Sequence, residues 1–190
     1  KPSWVRDSDV TCRLVSEVER HAKDGRHSAQ DGARTCKRGG MIDAQGYRPN
    51  VGIILSNTDG KVLWARRTAR DGWQFPQGGV KSNETVEQAL YRELHEEVGL
   101  SQPHVEVLGR TRDWLRYEIP PEFKRRSPNN AFRGQKQIWF LLRFLGSEQD
   151  VRLDLAHKPE FDSWRWIEYW SALDHIIEFK REVYRMALTE

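Results

Sequence analysis

Two cysteines and two methionines are all the sulfur in this chain of 190 residues. Cys12 and Cys36 are too few for a disulfide scaffold, so a reducing, cytoplasmic setting is the default expectation. No stretch approaches eighteen consecutive apolar residues, which excludes a transmembrane helix of ordinary length. The first residues also lack the apolar run of a secretory signal. Charge of one sign is missing from most of the chain. Residues 1–40 hold nine Lys/Arg and six Asp/Glu, so of the 31 basic and 28 acidic side chains, 22 of each remain in 41–190. Bulk charge therefore gives no reason to expect a DNA duplex or a membrane surface as partner; only local clustering could attract a nucleic acid.

Residues 1–40 are polar and end in KRGG. Val10, Leu14, Val15 and Val18 could line one short helix, which is too little for a core, and weak order is expected. Cys12, His21, His27 and Cys36 match no compact zinc spacing. From Met41, a candidate natural start, to residue 190 the chain reads as one domain. VGIILSN (51–57), a turn at 57–60 and KVLWARR (61–67) read as a hairpin. VEVLG (105–109), DWLRYEI (113–119) and SWRWI (163–167) read as further strands, and QIWFLLRFL (137–145) is apolar enough to be central. Residues 168–188 carry apolar positions at helical spacing. Eight tryptophans are many for this length, and Trp serves recognition surfaces as well as cores.

Thr85-Val-Glu-Gln88 is a capping box, and Gly99 suits the left-handed residue that closes a helix, so the pattern predicts a helix over 86–98. Ala89, Leu90, Leu94 and Val98 form its buried stripe. Glu93, Glu96 and Glu97 then share one face at i, i+3 and i+4. Arg92 can pair with Glu96, but one Arg cannot neutralise three acids. A divalent cation can, and oxygen ligands suit Mg²⁺, Mn²⁺ or Ca²⁺.

Gly78, Glu84 and the run Arg92-Glu93-Leu94-His95-Glu96-Glu97-Val98-Gly99-Leu100 fill every fixed position of the Nudix box. The sequence therefore resembles the Nudix hydrolases. The resemblance implies an α/β fold, an α/β/α sandwich around a mixed sheet, and hydrolysis of a nucleoside diphosphate linked to another moiety. It implies metal ligation by Glu93, Glu96 and Glu97 with a backbone carbonyl near Gln77 or Gly78, and a further metal-binding glutamate at Glu160. Mg²⁺ is the expected ion, with Mn²⁺ or Zn²⁺ as alternatives. All four glutamates are expected at the catalytic centre, and Glu93 and Glu160 are candidates for the base that takes the proton from the attacking water.

Beyond the box, MIDxxGYRPNVGI, WARR, WQFPQGG, GQKQxWFLL, PEFDxWRW and FKRxVYR resemble the bacterial RNA 5′ pyrophosphohydrolase subgroup, which also includes dinucleoside polyphosphate hydrolases. The expected substrate is RNA with a 5′-triphosphate or 5′-diphosphate end, whose conversion to a monophosphate opens a transcript to decay. Arg48, Arg67, Gln135 and Lys136 would supply donors to phosphate oxygens. Arg66 and Arg67 alternate across a strand, and the resemblance favours Arg67 at the site. Phe179 and Lys180 match positions that contact an RNA base, with Ile177 beside them and Arg67 stacking opposite Phe179. Trp114 and Tyr117 lie in 110–136, where eight Lys/Arg face three acids, a mix suited to single-stranded nucleic acid. WQFPQGG (73–79) is expected to set backbone beside the metal, with its aromatics walling the site. Gly72 departs from relatives that have Ser, the loop 121–134 matches poorly, and residues 1–40 have no counterpart. The rival readings are a dinucleoside polyphosphate hydrolase and a non-catalytic RNA-binding module; a regulatory protein partner fits either enzyme.

Overall fold

The computed structural model describes residues 42–68, 72–124 and 132–190. The expectations on residues 1–41, including the Cys/His set and the short helix, and on most of RRSPNNAFRGQ (125–135) lie outside the described residues.

A mixed sheet forms the centre. Its strands are β1 (Tyr47–Ser56), β2 (Val62–Arg67), β3 (Trp73–Gln74), β4 (Gln77–Gly79), β5 (Val105–Arg110), β6 (Leu115–Glu118), β7 (Gly134–Phe144) and β8 (Phe161–Ile167). The order is β3-β2-β1-β7-β5, with β4 added to β1, β6 to β7 and β8 to β2. β1 and β7 run parallel in register from Tyr47 beside Gly134 to Ser56 beside Arg143. As the apolar run at 137–145 implies, β7 is flanked on both sides. The helices are α1 (Val86–Val98), α2 (Ala172–His175) and α3 (Glu178–Thr189).

Side chains alternate across a strand, so a sheet flanked by helices on both faces needs two cores. Val51, Ile53 and Leu55 of β1 and Ile138, Phe140 and Leu142 of β7 pack with Ala89, Leu90 and Leu94 of α1. On the opposite face Ile54, Trp64, Phe75 and Trp139 pack with Val183, Tyr184 and Ala187 of α3. Close packing puts the Trp139 indole over Gly52, where a Cβ would come within 2.4 Å of the ring. Among the described residues the two fully buried tryptophans, Trp64 and Trp139, belong to this second core.

One expectation is met in shortened form and two are corrected. The hairpin at 57–60 forms its turn, with Asn57 Oδ1 accepting from the backbone of Asp59 and Lys61 at 3.0 Å. However, β1 and β2 pair only at Ser56 and Val62. β2 then follows β8 and β3, while β4 takes the vacated edge of β1 at Asn50–Gly52. The helical segment 168–188 is broken. A 3₁₀ turn at Tyr169–Ser171 leads into α2, and Ile176 and Ile177 are extended, with ψ of 147° and 139°, before α3 begins. Two adjacent β-branched residues favour extended backbone, and the break buries Ile176 in the second core while leaving Ile177 at the surface. Finally, Phe75 does not wall the site. It is fully buried, stacked on Tyr184 at 5.3 Å and edge-on to Trp64 at 4.9 Å. Trp73 instead carries the Arg165 guanidinium 4.4 Å above its ring.

Candidate active site

The cap signals act as the sequence implies. Thr85 Oγ1 accepts from the Gln88 N–H and Gln88 Oε1 accepts from the Thr85 N–H. Gly99 closes α1 in the left-handed region at φ 76°. These local bonds fix the rotation of α1, and with it the direction of every glutamate on the helix.

Glu93 and Glu97 are buried and Glu96 is exposed. Burial of the apolar stripe carries Glu93 and Glu97 inward, toward β4. Gln77 N donates to Glu97 Oε2 at 2.8 Å. The Glu93 carboxyl fills the space over Gly78, where a Cβ would meet its Cδ at 1.8 Å. A side chain at 78 would therefore displace the Glu93 carboxylate from this position, which accounts for glycine there. Burial pushes the Glu93 carboxyl above its ordinary range against the pull of Arg92. Burial raises Glu97 further, and the neighbouring Glu93 charge adds to the effect. Two buried acids one turn apart, each disfavouring the other's ionisation, form an unbalanced arrangement within the protein alone.

Arg92 supplies part of the balance, with partners beyond the one expected. Its guanidinium grips Glu84 through Nε at 2.9 Å and Nη2 at 2.5 Å, and Nη1 donates to Glu93 at 2.6 Å. Nη2 also donates to the Gly79 carbonyl at 2.8 Å, whereas the expected i+4 contact with Glu96 is the longest at 3.4 Å. The Arg92 hydrogen bonds are the main reason the Glu84 carboxyl is held below its ordinary range. Glu84 and Arg92 thus tie the loop before α1 to the helix and to β4.

The second half of the site lies on the face toward α3. Arg67 ends β2 after a register shift and donates to Glu160 Oε1 from Nε at 3.2 Å and Nη2 at 2.9 Å. Arg66 turns away and pairs with Asp162 at 2.6 Å. Lys180 of α3 is buried, donates to Gln74 Oε1 at 3.1 Å, and lies 5.8 Å from the Tyr117 ring centroid. Burial brings its ammonium down to about 8, with the Arg67 charge adding and the Glu160 and Glu97 charges opposing. Tyr117 donates to Gln135 Oε1 at 2.7 Å and packs on Phe179 at 6.0 Å, which in turn packs on Phe123 at 5.1 Å. Phe123 and Ile177 are exposed, so this face carries an apolar shelf. Arg48 lies over Gly79, where a Cβ would come within 2.8 Å of Nη2, and its buried Nε has no hydrogen-bond partner among the described residues.

Lys136 is not brought to this face. Neighbouring residues of a strand point oppositely, and Lys136 pairs with Asp43 Oδ2 at 2.9 Å beneath the Trp114 ring. Trp114 packs against the α1-side core. Sequence reasoning also missed a buried carboxamide chain. Gln137 Nε2 donates to Asn50 Oδ1 at 2.7 Å and to Gln77 Oε1 at 3.3 Å. The signal was legible in principle, because Asn50 and Gln137 are polar residues at core-facing positions of apolar strands.

The donors suit a hard cation in kind: carboxylate oxygens on α1 and just before β8, with room made by Gly78. Among the described residues no three acidic, His or Cys side chains converge on one point. Glu93 and Glu96 are drawn by Arg92, and Glu160 by Arg67. A metal there would be held by Glu93, Glu96, Glu97 and Glu160 and would polarise a phosphoryl oxygen and acidify a bound water.

Residues 46–187 match the NUDIX domain family. Among solved structures, the E. coli dihydroneopterin triphosphate pyrophosphohydrolase is similar at a TM-score of 0.60 and 20% identity, over 74% of this chain and 95% of that one. The C. elegans Ap4A hydrolase, in a binary complex, is similar at 0.54 and 20% identity, over 73% and 93%. These likenesses concern the fold, whereas the family match spans most of the chain and includes every element of the site just described. The chain belongs to the Nudix family and is a hydrolase of phosphoric anhydride bonds.

Proposed function

We propose that the protein is a divalent-metal-dependent RNA 5′ pyrophosphohydrolase, with Glu93, Glu96, Glu97 and Glu160 at the metal, Mg²⁺ or Mn²⁺, and Arg48, Arg67, Tyr117, Gln135, Ile177, Phe179 and Lys180 around the substrate. The observation that carries the reading is the shelf of Phe179, Phe123 and exposed Ile177, backed by buried Tyr117, with Lys180 5.8 Å from the Tyr117 ring. A nucleoside triphosphate alone needs cations for its phosphates; bases beyond the first nucleotide need apolar faces on which to stack. The all-oxygen donor set favours Mg²⁺ or Mn²⁺ over Zn²⁺.

The chain's own groups have distinct tasks. Arg48, with an unused buried N–H, supplies a donor to a phosphate oxygen at the Gly79 end of β4. Glu97, held against ionisation by burial, would serve as a ligand to a cation that restores the balance of charge. Glu160, with its side chain 44% exposed, can take a proton from water once it parts from Arg67. A dinucleoside polyphosphate also presents a base beyond a phosphate chain and is the second reading. The test measures pyrophosphate or phosphate release from 5′-triphosphorylated RNA against cleavage of diadenosine tetraphosphate, for wild type and Phe179→Ala. The expected result is faster turnover of RNA, with Phe179→Ala losing roughly tenfold in kcat/KM on RNA, as for one stacked base, and little on ATP. Equal losses on RNA and ATP would remove the shelf from substrate recognition, and preference for the dinucleotide would favour the second reading.

A further inference from the structure

Arg67 and Glu160 are assigned separate tasks above, one with the substrate base and one with the metal, yet the structure joins them. Both Nε and Nη2 of Arg67 donate to the same Glu160 oxygen, Oε1. The Thr68 N–H, next along the chain, donates to the Glu160 carbonyl at 2.9 Å, so backbone and side chain both register the two strands here. The register of β2 against β8 slips between Arg66 and Arg67, and this slip brings Arg67 rather than Arg66 to Glu160.

Resting on the metal-site reading, we propose that Arg67 is a latch on Glu160: it holds this carboxylate away from the metal until a second nucleoside, beyond the one that carries the phosphates, draws the guanidinium onto its base. The pair is suited to opening. The side chains are 28% and 44% exposed, and pairs this wet are weak. Glu93 and Glu97, by contrast, are buried and have no freedom of this kind. A planar guanidinium can exchange a carboxylate for a base face without losing favourable contact. Lys180 sits within the field of both partners and stays fixed by Gln74, so positive charge remains at the site when Arg67 leaves. The consequence is substrate selection. A mononucleotide has no second base for Arg67 and leaves Glu160 latched, whereas a chain with a second base releases it.

The test is a double-mutant cycle on Mn²⁺ binding to the full chain without substrate, read by electron paramagnetic resonance, with Arg67→Gln, Glu160→Gln and the double variant. The latch requires Arg67→Gln to tighten Mn²⁺ by about two- to fivefold, the range expected for an exposed pair, and to do nothing in the Glu160→Gln background. Equal tightening in both backgrounds would mean that Arg67 acts only through its charge, and no change in either would remove the latch; both results overturn the proposal. If Glu160→Gln alone leaves Mn²⁺ affinity unchanged, Glu160 is not a ligand, and the metal-site reading fails first. In turnover, Arg67→Gln should raise KM for a 5′-triphosphorylated dinucleotide, whose second base loses its stacking partner, while raising kcat on ATP, where no latch remains. A merely structural role would lower kcat on both.

Discussion

Asp43 shows how one carboxylate can close a turn and hold an ion pair together. Its Oδ1 accepts from the backbone of Gln45 and Tyr47, closing the turn that starts β1, and Oδ2 holds Lys136. The hydrogen bond from Lys136, then that from Tyr47, bring its carboxyl down from 3.8 to about 2. A depressed folded value means that the folded state binds the proton less readily than the unfolded one. Its contribution to stability is therefore complete above about pH 4 and is lost as pH falls toward 2. Asp43→Asn keeps an oxygen for the turn but loses the charge. Urea unfolding midpoints should show the variant less stable than wild type at neutral pH, with the gap closing below pH 4. A constant gap across that range would assign Asp43's role to turn geometry alone.

At the scale of elements, α1 and β4 behave as one unit because Arg92 and Glu97 bond β4 backbone while Glu93 fills the space over Gly78. Arg92 and Glu84 side chains are only 19% and 11% exposed, so removing the cation strands two buried acids. Arg92→Ala should cost about 3 kcal/mol, the scale for breaking a buried pair. Glu84→Gln should cost less, since Arg92 keeps Glu93 and the Gly79 carbonyl. Equilibrium denaturation checks the order, and an Arg92→Ala variant as stable as wild type would show that solvent already screens the cluster. This helix was legible in the sequence to the residue, because capping box, apolar stripe and closing glycine are all local signals. The face of Lys136 was not, although its strand was. A spacing cannot say which way a four-residue motif is cut by the pleat until β1 and Trp114 are in place. Phe75 failed for a similar reason: proximity to the glycines suggested a wall, but Tyr184, far along the chain, claims it for the core. The helix break at Ile176–Ile177 depends on what Ile176 can reach, which again is tertiary.

Across the whole molecule, the candidate site draws on β1, β2, β4, α1, β8 and α3, from Arg48 to Lys180, so its parts meet only when both cores are built. A ligand joining those elements must then stabilise the fold as a whole. The acids make the sign of this linkage unusual. Glu97 has a raised folded value, so the folded state binds its proton more readily than the unfolded chain does, and stability is lost as pH rises from the ordinary carboxylate range toward the folded value. At neutral pH without divalent cation, Glu97→Gln should therefore melt above wild type, since the amide keeps an acceptor for the Gln77 N–H and carries no buried charge. With Mn²⁺ at a hundredfold its dissociation constant, wild type should gain about 2.7 kcal/mol, or roughly 5–10 °C in melting temperature. The variant should gain little, so the order of the two melting curves reverses, and turnover by Glu97→Gln should be lost at every metal concentration. Parallel gains in both proteins would place the cation away from Glu97. A variant melting below wild type without metal would show that the Glu97 carboxylate is already compensated within the protein, leaving no electrostatic deficit for a cation to fill.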